Sequence, residues 1–180
     1  NPNANLFNKL FYTVRNRPNP RFLIEKAKLK FKRVSYESQL KELFEEMNFS
    51  ARIHFVEHHL AHMASAFFAS PFESSAVLSV DGFGDFASTA WGFGNDNELE
   101  IDDQVLFPHS LGILYTAITQ YLGFPNYGDE YKIMGLAPYG KDNFKREISK
   151  LIELKNDGKF ELNLSYFSHT KSWKAQQWNK

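Results

Sequence analysis

Three β-rich runs stand almost back to back at the centre of this 180-residue chain, at 75–81, 86–94 and 98–107, with only turn-forming residues between them. The first reads Ser-Ala-Val-Leu-Ser-Val-Asp and ends on the carboxylate of Asp81, after which Gly82, Phe83, Gly84 and Asp85 predict a tight turn. Asn95, Asp96 and Asn97 separate the second run from the third, so these two read as successive antiparallel strands. A strand, a tight turn and a strand at the centre, with helical periods on both sides, make the chain an α/β domain.

Those helical periods are explicit. Leu40, Leu43, Phe44 and Met47 recur at i, i+3, i+4 and i+7 and predict an amphipathic helix over 36–48, followed by a short strand over 52–56. The Ala-rich segment 58–70, stopped by Pro71, predicts another helix. Ser110 can cap a helix in which Leu111, Leu114, Tyr115, Ile118 and Leu122 form one stripe, with Gly123 as its stop. A further amphipathic helix is predicted over 143–154. Asn156, Asp157 and Gly158 then turn the chain into a last strand where Phe160, Leu162 and Leu164 alternate inward. The Asn-Pro, Arg-Pro and Asn-Pro steps within 1–21 predict an extended connector.

A chain of this length can bury an apolar core without staples, so a metal need not be structural. Cysteine is absent, which excludes disulfides and thiolate zinc sites and suits a reducing cytoplasm, the expected location. Any metal chemistry must therefore use His and carboxylates. No run approaches the roughly 20 apolar residues that cross a bilayer, so no membrane partner is expected. The 18 Phe, 8 Tyr and 3 Trp favour aromatic-lined packing or clefts. Net charge is zero, yet residues 1–34 hold nine Lys/Arg and one acid, leaving twelve basic and twenty acidic residues in the rest. That basic arm reads as a solvated face rather than a nucleic-acid site. We expect a single domain, with a basic connector at 1–34, an α/β body at 35–167 and a trailing segment at 168–180, together a fragment of a longer protein.

The sharpest constellation is Glu57-His58-His59-Leu60-Ala61-His62. On a helix His58 and His62 are one turn apart on one face, close enough to bind a single cation, while His59 points about a quarter-turn away. No carboxylate lies between the pair to act as base, so a His-Glu-x-x-His protease is not indicated. Packed core histidines are the plainer alternative. Asp81, nineteen residues beyond His62 at the end of a predicted strand, stands where ligands gather in α/β sheets and can be the third ligand, or can simply cap the Gly82 turn. Two imidazoles and a carboxylate suit Fe(II), Mn(II) or Zn(II).

Gly82 and Gly84 flank Phe83, and their missing side chains would let backbone N–H groups approach a phosphate, although a plain hairpin needs the same residues. Gly128, Asp129, Glu130 and Lys132 precede a Gly- and Pro-containing run at 134–140, a polar density suited to ribose or phosphate binding, or to a solvated loop.

Several separated motifs in order then resemble one family. The stretch from His58 to Phe68, Ser70-Pro71-Phe72, Val80-Asp81-Gly82, Phe107-Pro108-His109-Ser110-Leu111-Gly112, Gly123-Phe124 and the stretch from Gly128 to Gly140 are similar to the O-carbamoyltransferases of nodulation-factor and antibiotic biosynthesis, the NodU/CmcH type. The likeness runs from about Arg52 to Phe167. It implies a portion of an actin/Hsp70-like (ribonuclease H-like, ASKHA) nucleotide-binding domain. It also implies an enzyme that forms carbamoyl-adenylate from carbamoyl phosphate and ATP and passes the carbamoyl group to a hydroxyl of a sugar or natural product. Carried over by position, His58, His62 and Asp81 match the family's metal ligands, with iron expected and manganese or zinc as alternatives. Gly82, Phe83, Gly84, Gly128, Glu130 and Lys132 become the candidate nucleotide contacts; no catalytic residue is assigned. The family's phosphate loop, its basic residues for carbamoyl phosphate, a later aspartate ligand and its C-terminal domain have no counterpart in this sequence, so the isolated chain is expected to be inactive. A tRNA threonylcarbamoyladenosine-type enzyme, with the basic segment on RNA, is the rival; such relatives usually carry Ser-Gly-Gly-His where this chain has Asp81-Gly82-Phe83-Gly84. A non-catalytic nucleotide-binding module is the third reading.

Overall fold

The structure is a computed structural model that describes residues 4–18, 20, 24, 28, 39, 40, 42–44 and 54–170. The chain divides into two compact units, Asn1–Glu57 and His58–Lys180. In the first, α1 (Leu6–Asn16) replaces the extended connector expected over 1–21. The prolines flank this segment instead of interrupting it, and Leu6, Phe7, Leu10, Phe11 and Val14 recur with a helical period. Arg17, in a left-handed conformation with φ 42°, closes the helix by donating its N–H to Thr13 before Pro18. Residues 39–40 and 42–44 are helical, as expected for 36–48, whose other residues lie outside those described. Of the strand expected over 52–56, residues 54–56 have no regular structure and 52–53 lie outside the description. So short a run gains nothing from an extended backbone without a ladder partner.

The second unit opens with α2 (His58–Phe67), which buries His59, Met63 and Phe67 at four-residue intervals. Met63 and Phe67 join Val77 and Ala90 in a core on which Leu99 and Ile101 close. The strands β1 (Ser74–Gly84), β2 (Ala87–Asn95) and β3 (Glu98–Leu106) form an antiparallel sheet in that order. Gly82 and Gly84 therefore lie inside β1, not in the turn expected at 82–85. Gly84 pairs with Ala87, and the loop is Asp85 and Phe86, whose left-handed φ values of 51° and 81° match the right-handed twist of the strands that a two-residue hairpin joins. Between Val80, which pairs with Thr89, and Gly84 the register slips, so 81–83 oppose Ser88 alone. This bulge kinks β1 at Asp81.

Helix α3 (Leu111–Tyr121) starts at Ser110, whose side chain accepts from the Ile113 N–H at 3.1 Å. The expected stripe is only partly inward. Ala117 and Thr119 are the buried residues of α3, whereas Leu122 lies past the last turn and is exposed, with Gly123 at φ 96° after it. After α4 (Glu130–Leu136) and the short α5 (Lys145–Ile148), strands β4 (Ile152–Leu154) and β5 (Phe160–Leu162) make a second hairpin. The helix expected over 143–154 thus ends after four residues. Leu151 and Leu162 are buried together with Ala117 and Phe167, and this long-range packing overrides the local helical period. Leu164 follows β5 in a 3-10 turn capped by Asn163 instead of extending the strand.

Candidate metal centre

His58 and His62 lie on adjacent turns of α2, and the kink in β1 brings Asp81 to meet them. Nε2 of His58 is 2.7 Å from Oδ2 of Asp81 and 3.1 Å from Nε2 of His62, and the latter is 3.7 Å from the same carboxylate oxygen. All three donor atoms fall within 4.8 Å of one another. Around one cation with bonds of about 2.0–2.2 Å, neighbouring ligand atoms sit about 3.0–3.4 Å apart, the range these separations bracket. Protons serve the arrangement less well. Once Nε2–H of His58 donates to Asp81, that nitrogen cannot also accept from His62, whereas a cation takes all three lone pairs together.

The two carboxylate oxygens of Asp81 divide their work. Oδ1 accepts the Gly82 N–H at 2.6 Å within the bulge of β1, and Oδ2 is left for the imidazoles. Partial burial pushes this carboxyl up, but the His58 hydrogen bond, the Gly82 N–H and the charge of His58 and His62 outweigh it and hold it below the usual carboxylate range. Side-chain exposures of 37, 54 and 40 per cent for His58, His62 and Asp81 leave the donors open to solvent and to a substrate oxygen. His59 stays out of the group, fully buried with Nδ1 2.9 Å from the Ser79 hydroxyl.

The model of the carbamoyltransferase N-terminus matches residues 11–179. The chain belongs to that family. In this carbamoyltransferase N-terminal segment, 116 residues are 50% identical to an uncharacterized protein of Synechocystis, covering 64% of this chain and 19% of that protein. The nodulation protein NolNO of Sinorhizobium fredii is 42% identical over 123 residues, 67% of this chain and 18% of the relative. NolO of Bradyrhizobium diazoefficiens is 40% identical over 112 residues, 61% and 20% of the two chains. The segment thus spans about a fifth of the length of these relatives. Among the described residues no helix is long and apolar enough to cross a membrane.

The other candidate residues of the carbamoyltransferase segment fall into two groups. Gly82 gives its N–H to Asp81, the Phe83 ring lies 5.1 Å from that of Phe107 at a tilt of 54°, and Gly84 lies under the ring of His58. A Cβ at Gly84 would stand 1.9 Å from His58 Cδ2, so this glycine makes room for an imidazole. Gly128, at φ 88°, precedes α4, where Glu130 accepts the Thr116 hydroxyl at 2.5 Å and Lys132 pairs with Asp129 at 2.6 Å. That lysine and the Gly82 N–H are therefore already engaged.

Sequence reasoning overlooked three residues that hold the trio. Asp85 accepts the His58 N–H at 3.0 Å, the Ser110 hydroxyl donates to the Gly82 carbonyl at 2.7 Å, and Gly112 lets α3 touch the Asp81–Gly82 backbone. Ser110 was readable as a cap, and Asp85 as a turn residue. Neither signal says which distant group the side chain will meet.

Proposed function

We propose that this segment is part of the catalytic domain of an O-carbamoyltransferase and that His58, His62 and Asp81 bind a divalent metal there, iron by preference, with manganese or zinc as alternatives. The convergence of three exposed donor atoms at the spacing of cis ligands carries this reading. The whole enzyme would form carbamoyl-adenylate from carbamoyl phosphate, water and ATP, releasing phosphate and pyrophosphate, and transfer the carbamoyl group to a hydroxyl of a sugar or natural product with AMP as the leaving group. A bound dication would supply Lewis acidity to phosphate and carbonyl oxygens on which negative charge develops. The chain's own residues orient that centre: the Gly82 N–H occupies Oδ1 of Asp81, so the carboxylate offers Oδ2 alone.

The nucleotide would lie beside the trio, with Gly82, Phe83, Gly84, Gly128, Glu130 and Lys132 lining it. Packing supports this placement, because α4 rests on α3 and the start of α3 rests on the backbone of Asp81 and Gly82. An actin/Hsp70-like domain is the proposed whole. β1 is an edge strand of the described sheet, which suits a strand order that continues in a longer chain, and its exposed Leu78 and Val80 face suits a covering layer.

The test is pyrophosphate release from ATP and carbamoyl phosphate by the full-length protein, alone and with His62→Ala. Metal-dependent release that the substitution abolishes is expected. Nucleotide binding without release would identify a binding module instead, and full activity of the variant would remove the metal from the reading.

A further inference from the structure

The β1–β2 turn is made from residues poorly suited to it. Both loop positions, Asp85 and Phe86, have left-handed φ values of 51° and 81°, where Asn-Gly would sit without steric cost. Their side chains are employed elsewhere. The Phe86 ring lies 5.5 Å from that of Phe107, and Asp85 Oδ2 accepts the His58 N–H at 3.0 Å across 27 residues of sequence. His58 is the first residue of α2, and its N–H has no partner within the helix. Gly84, the residue before the loop, supports the other end of the same residue, with the His58 ring seated where a Cβ would be.

From these contacts we infer that Asp85 is a positioning residue for the metal centre, fixing the backbone of His58 while Gly84 seats its ring. The inference rests on the metal-binding reading above. Asp85 touches no metal or substrate; it acts through His58. Its carboxylate, opposite the positive end of α2, sets where the helix begins and hence where the imidazole projects. Gly84 keeps the ring at the height of Asp81, whose Oδ2 it meets at 2.7 Å. A metal ligand held by two neighbouring residues of one hairpin is pre-organised, and loss of such supporting contacts typically weakens metal binding by about 10- to 100-fold.

The experiment is a Co(II) titration of the metal-stripped full-length protein, followed by competition with a chelator and by the visible d–d spectrum. The wild-type chain is expected to bind one equivalent, and His58→Ala to bind none. Asp85→Ala is expected to weaken Co(II) by about 10-fold or more and to change the spectrum, and Asp85→Asn, whose amide oxygen can accept the same N–H, to recover most of the affinity. That recovery separates positioning from a general loss of folding. Gly84→Ala, which keeps the Asp85 carboxylate but crowds the ring, should weaken binding to a similar degree, and serves if Asp85→Ala does not fold. Wild-type affinity in both Asp85→Ala and Gly84→Ala, or in Gly84→Ala when the other is unfolded, would overturn the inference and leave the metal site intact, provided His58→Ala still binds nothing. Equal binding by wild type and His58→Ala, or none by either, would overturn both.

Discussion

The Ser110 hydroxyl donates to the carbonyl of Gly82 at 2.7 Å, tying the first turn of α3 to the strand that carries Asp81. The same oxygen accepts the Ile113 N–H, and the residue is fully buried. Ser110→Ala therefore removes a helix cap and leaves the part-buried Gly82 carbonyl with one partner fewer. A loss of about 2 kcal/mol is expected in urea unfolding. A change below about 0.5 kcal/mol would show that the junction tolerates its absence.

Two helical glycines should respond oppositely to alanine. At Gly112 a Cβ would stand 2.7 Å from the Gly82 nitrogen and 2.8 Å from the Asp81 carbonyl oxygen, both backbone atoms that cannot move aside cheaply. At Gly135, within α4, a Cβ meets nothing within 4 Å. Gly135→Ala should stabilise by about 0.5–1 kcal/mol through helix propensity. Gly112→Ala should destabilise in spite of the same propensity gain, as thermal midpoints of the two variants will register.

Stability should fall on mild acidification because of two histidines remote from the trio in sequence. His109 Nδ1 accepts the Leu162 N–H at 3.0 Å, and His169 Nε2 donates to the Pro108 carbonyl at 2.8 Å. Burial pushes both imidazoles below their ordinary value; for His109 the pull of Glu161 upward is the smaller effect. The unfolded chain thus binds these protons first, near pH 6.5. Their contribution is whole above about pH 6.5 and is lost as the pH falls through that value toward the lower folded ones. Asp81, Asp103 and Asp129, held below the usual carboxylate range, keep contributing until the pH nears about 4, so unfolding measured from pH 7 to 5 isolates the histidines. His109→Gln should flatten that slope.

Removing a member of the proposed metal-binding trio should cost binding far more than folding. His62→Ala and Asp81→Asn delete or weaken a donor whose side chain is half exposed, and the asparagine still offers an oxygen to the Gly82 N–H. The metal-free variants are expected within about 1 kcal/mol of the parent, with metal content by elemental analysis reduced to background. Retention of a full equivalent by both would exclude the trio.

The identities of the trio were readable because each rests on a local signal. Four-residue spacing in an Ala-rich segment places His58 and His62 on one face, and a β-rich run ending on Asp81 places a carboxylate at a strand's end. Their meeting was a conjecture until the bulge at 81–83 appeared. The turn expected at 82–85 came two residues too early, since a glycine has two uses, φ freedom and close approach, and at Gly84 the second applies, against the His58 ring. The segment 143–154 misled for a different reason: its apolar residues fit a helical period, but Leu151 and β4 are claimed by the core around Phe167.

By itself the sequence determined the α/β character, the β2–β3 hairpin, the Ser110-capped helix and the pairing of His58 and His62 on one face of α2, all consequences of periodicity and capping that neighbours in the chain decide among themselves. Only the tertiary structure decided that Asp81 reaches the imidazoles 19 and 23 residues away, that Asp85 holds the end of α2 and that α3 seats on Gly112. Those relations depend on strand register and on backbone-to-backbone distances of an ångström or less in tolerance, which arise when separate elements pack and which no local pattern encodes.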